Sequence, residues 1–155
     1  MKGGIILAVT TADSKQAYLS LYSVLERNDI DYELTKSRSV RCSVSGRDRE
    51  IQLYFSIDAS KMLVTLYSTI CRRVPQQRTT DAALALCMIN NTLTDGELCF
   101  DINDRLIYFK MTSSFYNAGL NSSVYEYMLS VAADTIDSYR TALERLMKTE
   151  PGPVA

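Results

Sequence analysis

Apolar and polar residues alternate along residues 96–111, a pattern with a period of two that predicts a β-hairpin. The Asn-Asp dipeptide at residues 103–104 lies between the two alternating runs and has the chemistry of a tight turn. The cross-strand pairs that such a turn predicts are Phe100 with Ile107, Leu98 with Phe109, and Glu97 with Lys110. All the large apolar side chains then lie on one face, so we expect Phe100 and Phe109 both to be buried.

Residues 40–67 repeat this alternation in three further runs, which predicts a three-stranded meander. The apolar positions of the runs are Val40, Cys42 and Val44, then Ile51, Leu53, Phe55 and Ile57, then Met62, Val64 and Leu66. Polar turn sequences at residues 45–48 and 58–61 separate the runs, and we expect a loop of four residues at each. The pairs that these loops predict are Cys42 with Ile51, Phe55 with Val64, and Leu53 with Leu66.

A period of 3.6 residues predicts helices at residues 11–28, 79–93 and 123–148. Their predicted core stripes are Ala17, Leu21, Val24 and Leu25 in the first, Ala82, Ala85, Leu86, Ile89 and Leu93 in the second, and Val124, Met128, Val131, Thr135, Tyr139, Ala142 and Leu146 in the third. Asp13 or Ser14 can cap the first helix, Thr79 or Thr80 can cap the second, and Ser123 with Glu126 fits a capping box for the last.

The order of these elements predicts an α+β fold, α-β-β-β-α-β-β-α, with an antiparallel sheet and helices packed on one face. We expect a single domain of 155 residues whose core spans residues 11–148. The role of residues 1–10 stays open: the apolar run at residues 5–9 is a short added strand, an ordered arm, or a segment that does not belong to the natural chain. Residues 30–34 are a candidate lead-in to the sheet, and residues 149–155 are expected to be a disordered tail.

The last predicted helix carries a second apolar flank, formed by Tyr125, Leu129, Ala132, Ile136 and Leu143. A surface helix needs one apolar stripe, so this helix is either deeply buried in the monomer or in contact with another chain. The outer face of the predicted meander is likewise only partly polar. The candidate partner-binding residues are therefore Tyr54, Leu63, Tyr67, Tyr125, Leu129 and Ile136. Because soluble monomers rarely expose so much apolar surface, we expect a homodimer.

The sequence contains no histidine, which excludes Ser-His and Cys-His nucleophile pairs and imidazole metal ligands in this chain. Its four cysteines are far apart and form no CxxC pair, so we expect four reduced, partly buried thiols. The acidic residues at 95–104 lack the glycine and later glutamate of a calcium loop, and no glycine-rich phosphate loop is present. We therefore predict no catalytic residue, no metal site and no cofactor, and expect a protein that is not an enzyme.

Charge and hydropathy limit the classes of partner. The net charge is -1, so no global field draws the chain to nucleic acid or membrane. The apolar run at residues 5–9 is too short for a signal peptide or a membrane span, and we expect a cytoplasmic protein without membrane contact. One local basic stretch is a candidate patch, formed by Lys36, Arg38, Arg41, Arg47 and Arg49. It is either a solvated sheet edge or a surface for an acidic partner or nucleic acid.

Three short segments, at residues 89–91, 95–101 and 106–109, carry a resemblance to a known family. Their sequences are Ile-Asn-Asn, Asp-Gly-Glu-Leu-Cys-Phe-Asp and Leu-Ile-Tyr-Phe. With the order of elements over residues 14–148, they resemble the YbjN-like bacterial proteins, which are regarded as sensory transduction regulators and share the fold of type III secretion chaperones. The resemblance implies a non-enzymatic binding module with that fold, often dimeric. It carries over no catalytic or ligand residue, and the net charge of -1 departs from the acidic character typical of the chaperones.

These observations predict a small cytoplasmic protein-interaction module, chaperone-like or regulatory, that holds an unidentified partner protein on an aromatic and apolar surface. The alternative is a regulator that contacts nucleic acid through the arginine-rich edge, in which case its binding would weaken steeply with salt. Neither function requires a covalent bond to be made or broken.

Overall fold

The computed structural model describes residues 2–116 and 121–148, with side chains from residue 13 onward within those ranges. The helices are α1 (Lys2–Arg27), α2 (Thr79–Asn90) and α3 (Ser122–Lys148). The strands are β1 (Tyr32–Leu34), β2 (Val40–Ser45), β3 (Glu50–Asp58), β4 (Leu63–Cys71), β5 (Glu97–Asp101) and β6 (Leu106–Ser114). A single 3-10 turn, Gln76–Arg78, precedes α2. The tail predicted at residues 149–155 lies outside the described residues.

The six strands form one antiparallel sheet in the order β1-β2-β3-β4-β6-β5. The predicted α+β fold with an antiparallel sheet is confirmed, and the lead-in at residues 30–34 proves to contain one additional short strand, β1. α3 lies along β4 and β6 and also contacts α1, while α2 packs on β5.

Burial alternates along the central strands, so the sheet has a covered face and an open face. The covered face packs against the helices and includes the fully buried side chains of Leu53, Phe55, Leu66, Ile107 and Phe109. The opposite side of the sheet is called the open face, and its residues include Arg41, Gln52, Tyr54, Leu63, Thr65, Tyr67, Cys99, Tyr108 and Lys110. A single face therefore provides the core, as the alternation predicts.

The hairpin β5–β6 has the predicted register. Its observed pairs include Phe100 with Ile107, Leu98 with Phe109, and Glu97 with Lys110. Phe109 is fully buried, but Phe100 is only partly buried. The expectation that both phenylalanines are buried is thus wrong for Phe100. The reason is that β5 is the outermost strand, so no described strand on its far side completes the packing around Phe100.

The meander β2–β3–β4 keeps the predicted faces but not the predicted pairs. Its observed pairs include Cys42 with Leu53, Val44 with Ile51, Phe55 with Leu66, and Ile57 with Val64. Each four-residue loop begins one residue later than predicted, at Gly46 and at Ala59, which shifts each register by two. In the second loop, the Asp58 carboxylate accepts hydrogen bonds from the N–H groups of Ser60 (3.0 Å) and Lys61 (3.2 Å). Since a shift of two preserves side-chain direction, the same apolar residues stay on the covered face.

α1 is longer than predicted. It begins at Lys2, so residues 5–9 are helical and the caps expected at Asp13 or Ser14 are wrong. Its predicted core stripe is buried. α1 ends at Arg27, and Asp29 follows with φ of 52°, a left-handed conformation in which helices commonly end.

α2 begins at Thr79, so the cap predicted at Thr79 or Thr80 is wrong: Arg78 precedes the helix and provides no side-chain cap. The helix ends at Asn90, three residues earlier than predicted. The Asn90 side chain turns towards β5. Its amide oxygen accepts the N–H of Leu98 at 2.8 Å, and its amide nitrogen donates to the Leu98 C=O at 3.0 Å. Asn90 therefore ties the end of α2 to the edge strand of the sheet.

α3 buries the apolar flank whose role the sequence leaves open. Tyr125, Leu129 and Ile136 lie in the core, whereas most of the predicted stripe is only partly buried. The Tyr125 hydroxyl donates to the C=O of Ala17 at 2.8 Å, and its ring meets Phe55 edge-on with 5.8 Å between centroids. The flank is buried in the monomer because α3 packs against both the sheet and α1, which requires a broad apolar surface.

Candidate partner-binding site

Three of the six predicted partner-binding residues lie on the open face. Tyr54 on β3 lies opposite Tyr67 on β4, and their rings stack with centroids 5.4 Å apart. Leu63 is on the same face at the start of β4, and all three side chains are partly buried. The other three residues, on α3, are in the core and are not available to a partner, which corrects that part of the predicted site.

Two cations of the open face are paired with neighbouring acids. A guanidinium nitrogen of Arg41 is 2.9 Å from the Glu33 carboxylate, and Lys110 Nζ is 2.8 Å from the Glu97 carboxylate. The hydrogen bond to Glu97 raises the pKa of Lys110. These two cations are therefore partly neutralised by carboxylates and are poorly placed to bind a phosphate backbone.

The five residues of the predicted basic patch do not form one surface. Their positions are the β1–β2 loop for Lys36 and Arg38, β2 itself for Arg41, and the β2–β3 turn for Arg47 and Arg49. The six residues of β2 hold the loop and the turn about 20 Å apart. Arg49 also forms an ion pair with Glu144 of α3. This arrangement removes the continuous basic edge on which the nucleic-acid alternative rests.

The β2–β3 turn is anchored to α3 by Asp137 and Arg140. The Arg47 N–H donates to the Asp137 carboxylate at 2.8 Å. The buried guanidinium of Arg140 donates to the C=O groups of Arg49 and Glu50, both at 3.3 Å, and lies 3.6 Å from Asp137. The turn that carries two of the predicted basic residues is thus part of the scaffold.

The described cysteine and acidic side chains form neither an activated thiol at Cys42 or Cys71 nor a set of metal ligands. Burial raises the pKa of Cys42 to about 12 and that of Cys71 to about 11, so both thiols are protonated at neutral pH and are weak nucleophiles. Within residues 13–116 and 121–148, no three acidic, cysteine or histidine side chains are grouped as metal ligands.

Over the described part of the chain, no helix combines the length and apolar character needed to cross a bilayer.

An apolar groove lies between α1 and β1, at the edge of the sheet. It has a volume of about 410 Å³ and is lined by Ser14, Lys15, Tyr18, Leu19, Tyr22, Leu34 and Arg38. Leu19 is 51% exposed and Leu34 is 60% exposed, so two large apolar side chains face solvent in one depression. We call this depression the α1–β1 groove. Clustered apolar exposure of this kind is typical of interaction surfaces.

A row of three tyrosines joins α1 to β1 along the groove. The ring centroids of Tyr18 and Tyr22 are 6.1 Å apart, and the rings of Tyr22 and Tyr32 stack at 5.0 Å. The Tyr18 hydroxyl donates to the C=O of Arg38 at 3.0 Å, and the Tyr32 hydroxyl donates to the Glu26 carboxylate at 2.9 Å. Because hydrogen bonds hold both ends of the row, the wall of the groove is formed before any partner binds.

β1 borders the α1–β1 groove and is an edge strand. Its three residues pair with β2 on one side, and no described strand lies on the other. The opposite edge differs, because Asn90 occupies the backbone groups of Leu98 on β5. A free strand edge can accept an added strand through backbone hydrogen bonds. The groove thus combines a pairing edge with an apolar pocket.

The sequence alone does not predict this site, because the groove forms between residues 14–22 and residues 34–38, which belong to different elements. Two signals were present. Leu19 is a large apolar residue outside the core stripe of its helix, and Leu34 continues the apolar alternation of Ile30 and Tyr32. Neither signal identifies the other as its neighbour in space.

A second exposed apolar surface is the outer face of α2, formed by Leu84, Cys87 and Met88. Leu84 and Met88 are one turn apart and are 61% and 64% exposed, and Cys87 beside them is also exposed. The only charged residue of α2 is Asp81, in its first turn. The outer face of α2 can therefore meet another apolar surface without burying a charge.

Comparison with known proteins identifies the fold. Residues 20–145 match the family model of YbjN, described as "Putative bacterial sensory transduction regulator". No curated protein matches the sequence.

Three solved structures share the architecture. YbjN from E. coli, described as "a putative transcription regulator", has a TM-score of 0.63 at 10% identity over 81% of this chain and 89% of that chain. A chain of the HopA1-SchA chaperone-effector complex has a TM-score of 0.58 at 12% identity over 81% of this chain and 94% of that chain. A chain of the ExsC-ExsE complex has a TM-score of 0.50 at 14% identity over 66% and 75% of the two chains. These similarities confirm the predicted fold, which YbjN and the type III secretion chaperones share.

Proposed function

The chain belongs to the YbjN family, and we propose on this basis that it is a cytoplasmic protein-interaction module, chaperone-like or regulatory, that catalyses no reaction. The observation that carries the proposal is the α1–β1 groove, in which two exposed leucines lie beside a free strand edge. The groove holds an extended segment of a partner protein by non-covalent contacts alone. A protein of similar fold forms a chaperone-effector complex, HopA1-SchA, which is consistent with this mode of action.

The energetics of the groove suit reversible binding. Covering the exposed parts of Leu19 and Leu34 would contribute about 1 kcal/mol each, since roughly half of each side chain is already buried. Backbone hydrogen bonds to β1 would add about 1 kcal/mol each and would define the register of the added strand. The stacked tyrosines do not have to rearrange, so little of this gain is lost to ordering the groove.

Capture of bound protein from a lysate of the native host tests the proposal. The double variant Leu19→Lys and Leu34→Lys places two charges in the groove, and we expect it to lose the protein that the wild type captures. The matched control is Leu63→Lys, which adds a charge on the open face and should retain capture. Circular dichroism checks that each variant is folded. If Leu63→Lys abolishes capture and the groove variant does not, the open face is the binding surface instead.

We also propose that two copies associate through the outer face of α2. The outer face of α2 takes the place of the surface around Leu129 as the candidate dimer interface, because Leu129 is buried in the monomer. Leu84 and Met88 are the large side chains of the outer face of α2, and an apolar helix face can pack on its own copy across a two-fold axis. Cys87 lies beside them on the same face and would be close to its copy in such a pair.

Sedimentation at micromolar concentration measures the association and should give twice the chain mass of 17.4 kDa. Leu84→Glu should give a monomer, while Leu63→Glu on the open face should leave the dimer intact. Copper-catalysed oxidation should crosslink the wild type through Cys87 and should fail to crosslink Cys87→Ala. A monomer at high concentration would contradict the proposed dimer. Dissociation by Leu63→Glu but not by Leu84→Glu would show that the dimer interface is the open face.

A further inference from the structure

We infer that the α1–β1 groove selects partner segments by the order of their charges. The segment that it takes is an extended strand with an acidic residue at its N-terminal end, apolar residues at alternate central positions, and a basic residue at its C-terminal end. This inference rests on the proposed function, because it names the class of segment that the same groove holds.

Cations lie at one end of the groove. Lys15 and Arg38 are exposed and line it, and Lys36 is exposed in the same loop as Arg38. None of the residues that line the groove is a carboxylate. Glu33 alternates in direction with Leu34 and forms its ion pair on the open face. Asp13 lies on the far side of α1, because each helical residue advances about 100° around the axis.

Carboxylates lie at the other end. Glu26, Asp29 and Asp31 surround Tyr32 in a depression of about 350 Å³. Arg27 is their nearest cation in the sequence, and it forms an ion pair with α3 instead. Arg41 lines a neighbouring depression with Asp31, but its ion pair is with Glu33. α1 runs antiparallel to β1, since its later residues meet the start of β1 and its earlier residues meet the β1–β2 loop. The groove therefore has cations at its end beside the β1–β2 loop, and the stacked Tyr22 and Tyr32 join its other end to an acidic depression where β1 begins.

The direction of β1 determines which end of the partner strand should be acidic and which should be basic. β1 runs from the acidic end to the basic end, and antiparallel pairing is the more stable arrangement for an added strand. The N-terminus of the partner strand then lies at the basic end, where an acidic residue is favoured. Lys15 and Glu26 are separated by a helical rise of about 17 Å, which about five extended residues span. The central residues of such a strand face Leu19 and Leu34.

Two labelled peptides of identical composition test the rule on the full chain. The first is Asp-Asp-Val-Thr-Val-Thr-Lys-Lys, and the second reverses the charges as Lys-Lys-Val-Thr-Val-Thr-Asp-Asp. Fluorescence anisotropy at low salt should show about fivefold tighter binding of the first peptide, with the difference shrinking as salt rises. The variant with Lys15→Glu, Arg38→Glu, Glu26→Lys and Asp29→Lys should prefer the second peptide.

The possible results separate this inference from the function on which it rests. Equal binding of both peptides, with loss of both in the Leu19→Lys and Leu34→Lys variant, would overturn the charge rule and support the groove. Tighter binding of the second peptide by the wild type would overturn the antiparallel assignment. No binding of either peptide at millimolar concentration would overturn the inference, and capture from the lysate would then decide separately whether the groove binds a partner.

Discussion

Among single residues, Phe109 and Gly96 form a tight packing unit at the start of β5. Phe109 is fully buried, and a Cβ at residue 96 would lie only 2.5 Å from a carbon of its ring. Gly96 also has φ of 70°, in the left-handed region that favours glycine. Glycine at position 96 thus allows the Phe109 ring to lie directly on the backbone of the neighbouring strand.

Replacing Phe109 should therefore lower stability more than replacing Phe100, the other phenylalanine of the hairpin. Phe109→Ala should lower the free energy of unfolding by about 3–5 kcal/mol, because it removes a fully buried ring. Phe100→Ala is the matched control and should cost about half as much, since Phe100 is partly exposed. Urea denaturation followed by circular dichroism measures both. Equal losses would contradict the difference in burial.

The buried thiol of Cys42 should make stability depend on pH. Its pKa of about 12 in the folded chain exceeds its ordinary value of 9.0, so between these values the unfolded chain releases a proton that the folded chain retains. The free energy of unfolding should then fall as pH rises above about 9, by up to about 1.4 kcal/mol per pH unit for this thiol. Below pH 9 both states hold the proton, so the contribution of Cys42 is constant there.

Cys42→Ala should reduce this alkaline loss, whereas Cys87→Ala, at an exposed position, should leave it unchanged. Urea midpoints measured between neutral pH and about pH 11 would report the slopes. Parallel curves for the wild type and Cys42→Ala would show that other groups cause the alkaline loss.

At the scale of elements, α3 both fills the core and anchors the β2–β3 turn. Asp137→Ala should lower the free energy of unfolding by about 1–3 kcal/mol, because it leaves the Arg47 N–H without its acceptor and the buried Arg140 without its carboxylate partner. Amide hydrogen exchange at Arg47 should accelerate as well. Asp134→Ala, at an exposed position on the same helix, is the control. Unchanged exchange at Arg47 in Asp137→Ala would show that the turn holds its shape without the anchor.

The central strands were predictable from the sequence because alternation alone assigns each residue to a face. The two-residue shift at Cys42 and Phe55 left that assignment intact. The burial of α3 was less predictable, since the flanks of Val131 and Ala132 are both apolar and differ by only about 100°. Which flank meets the core depends on how the helix lies on the sheet and against α1. The α1–β1 groove was unpredictable for the same reason, because it exists only where two elements meet.

For the whole molecule, the net charge of -1 conceals a local separation of charge. The basic residues at the β1–β2 loop and the carboxylates around Tyr32 nearly cancel in the sum, yet they occupy opposite ends of one groove. The net charge therefore excludes a strong electrostatic field around the whole molecule, but it gives no information about the local field at the groove. A partner that fits the groove would respond to this local field within about one Debye length, roughly 10 Å at moderate salt.

A protein whose sheet has two free edges can join copies of itself end to end and grow into a filament. Here the Asn90 amide occupies the outward-facing N–H and C=O groups of Leu98 on β5. Among the described strands, β1 is therefore the edge whose backbone is open to pairing. A molecule with one such edge has a valence of one. Two copies can pair through it, and among the described strands the resulting pair then offers no further open edge, while the proposed contact through α2 is a separate surface. A single side-chain amide therefore limits strand-mediated polymerisation to its first step.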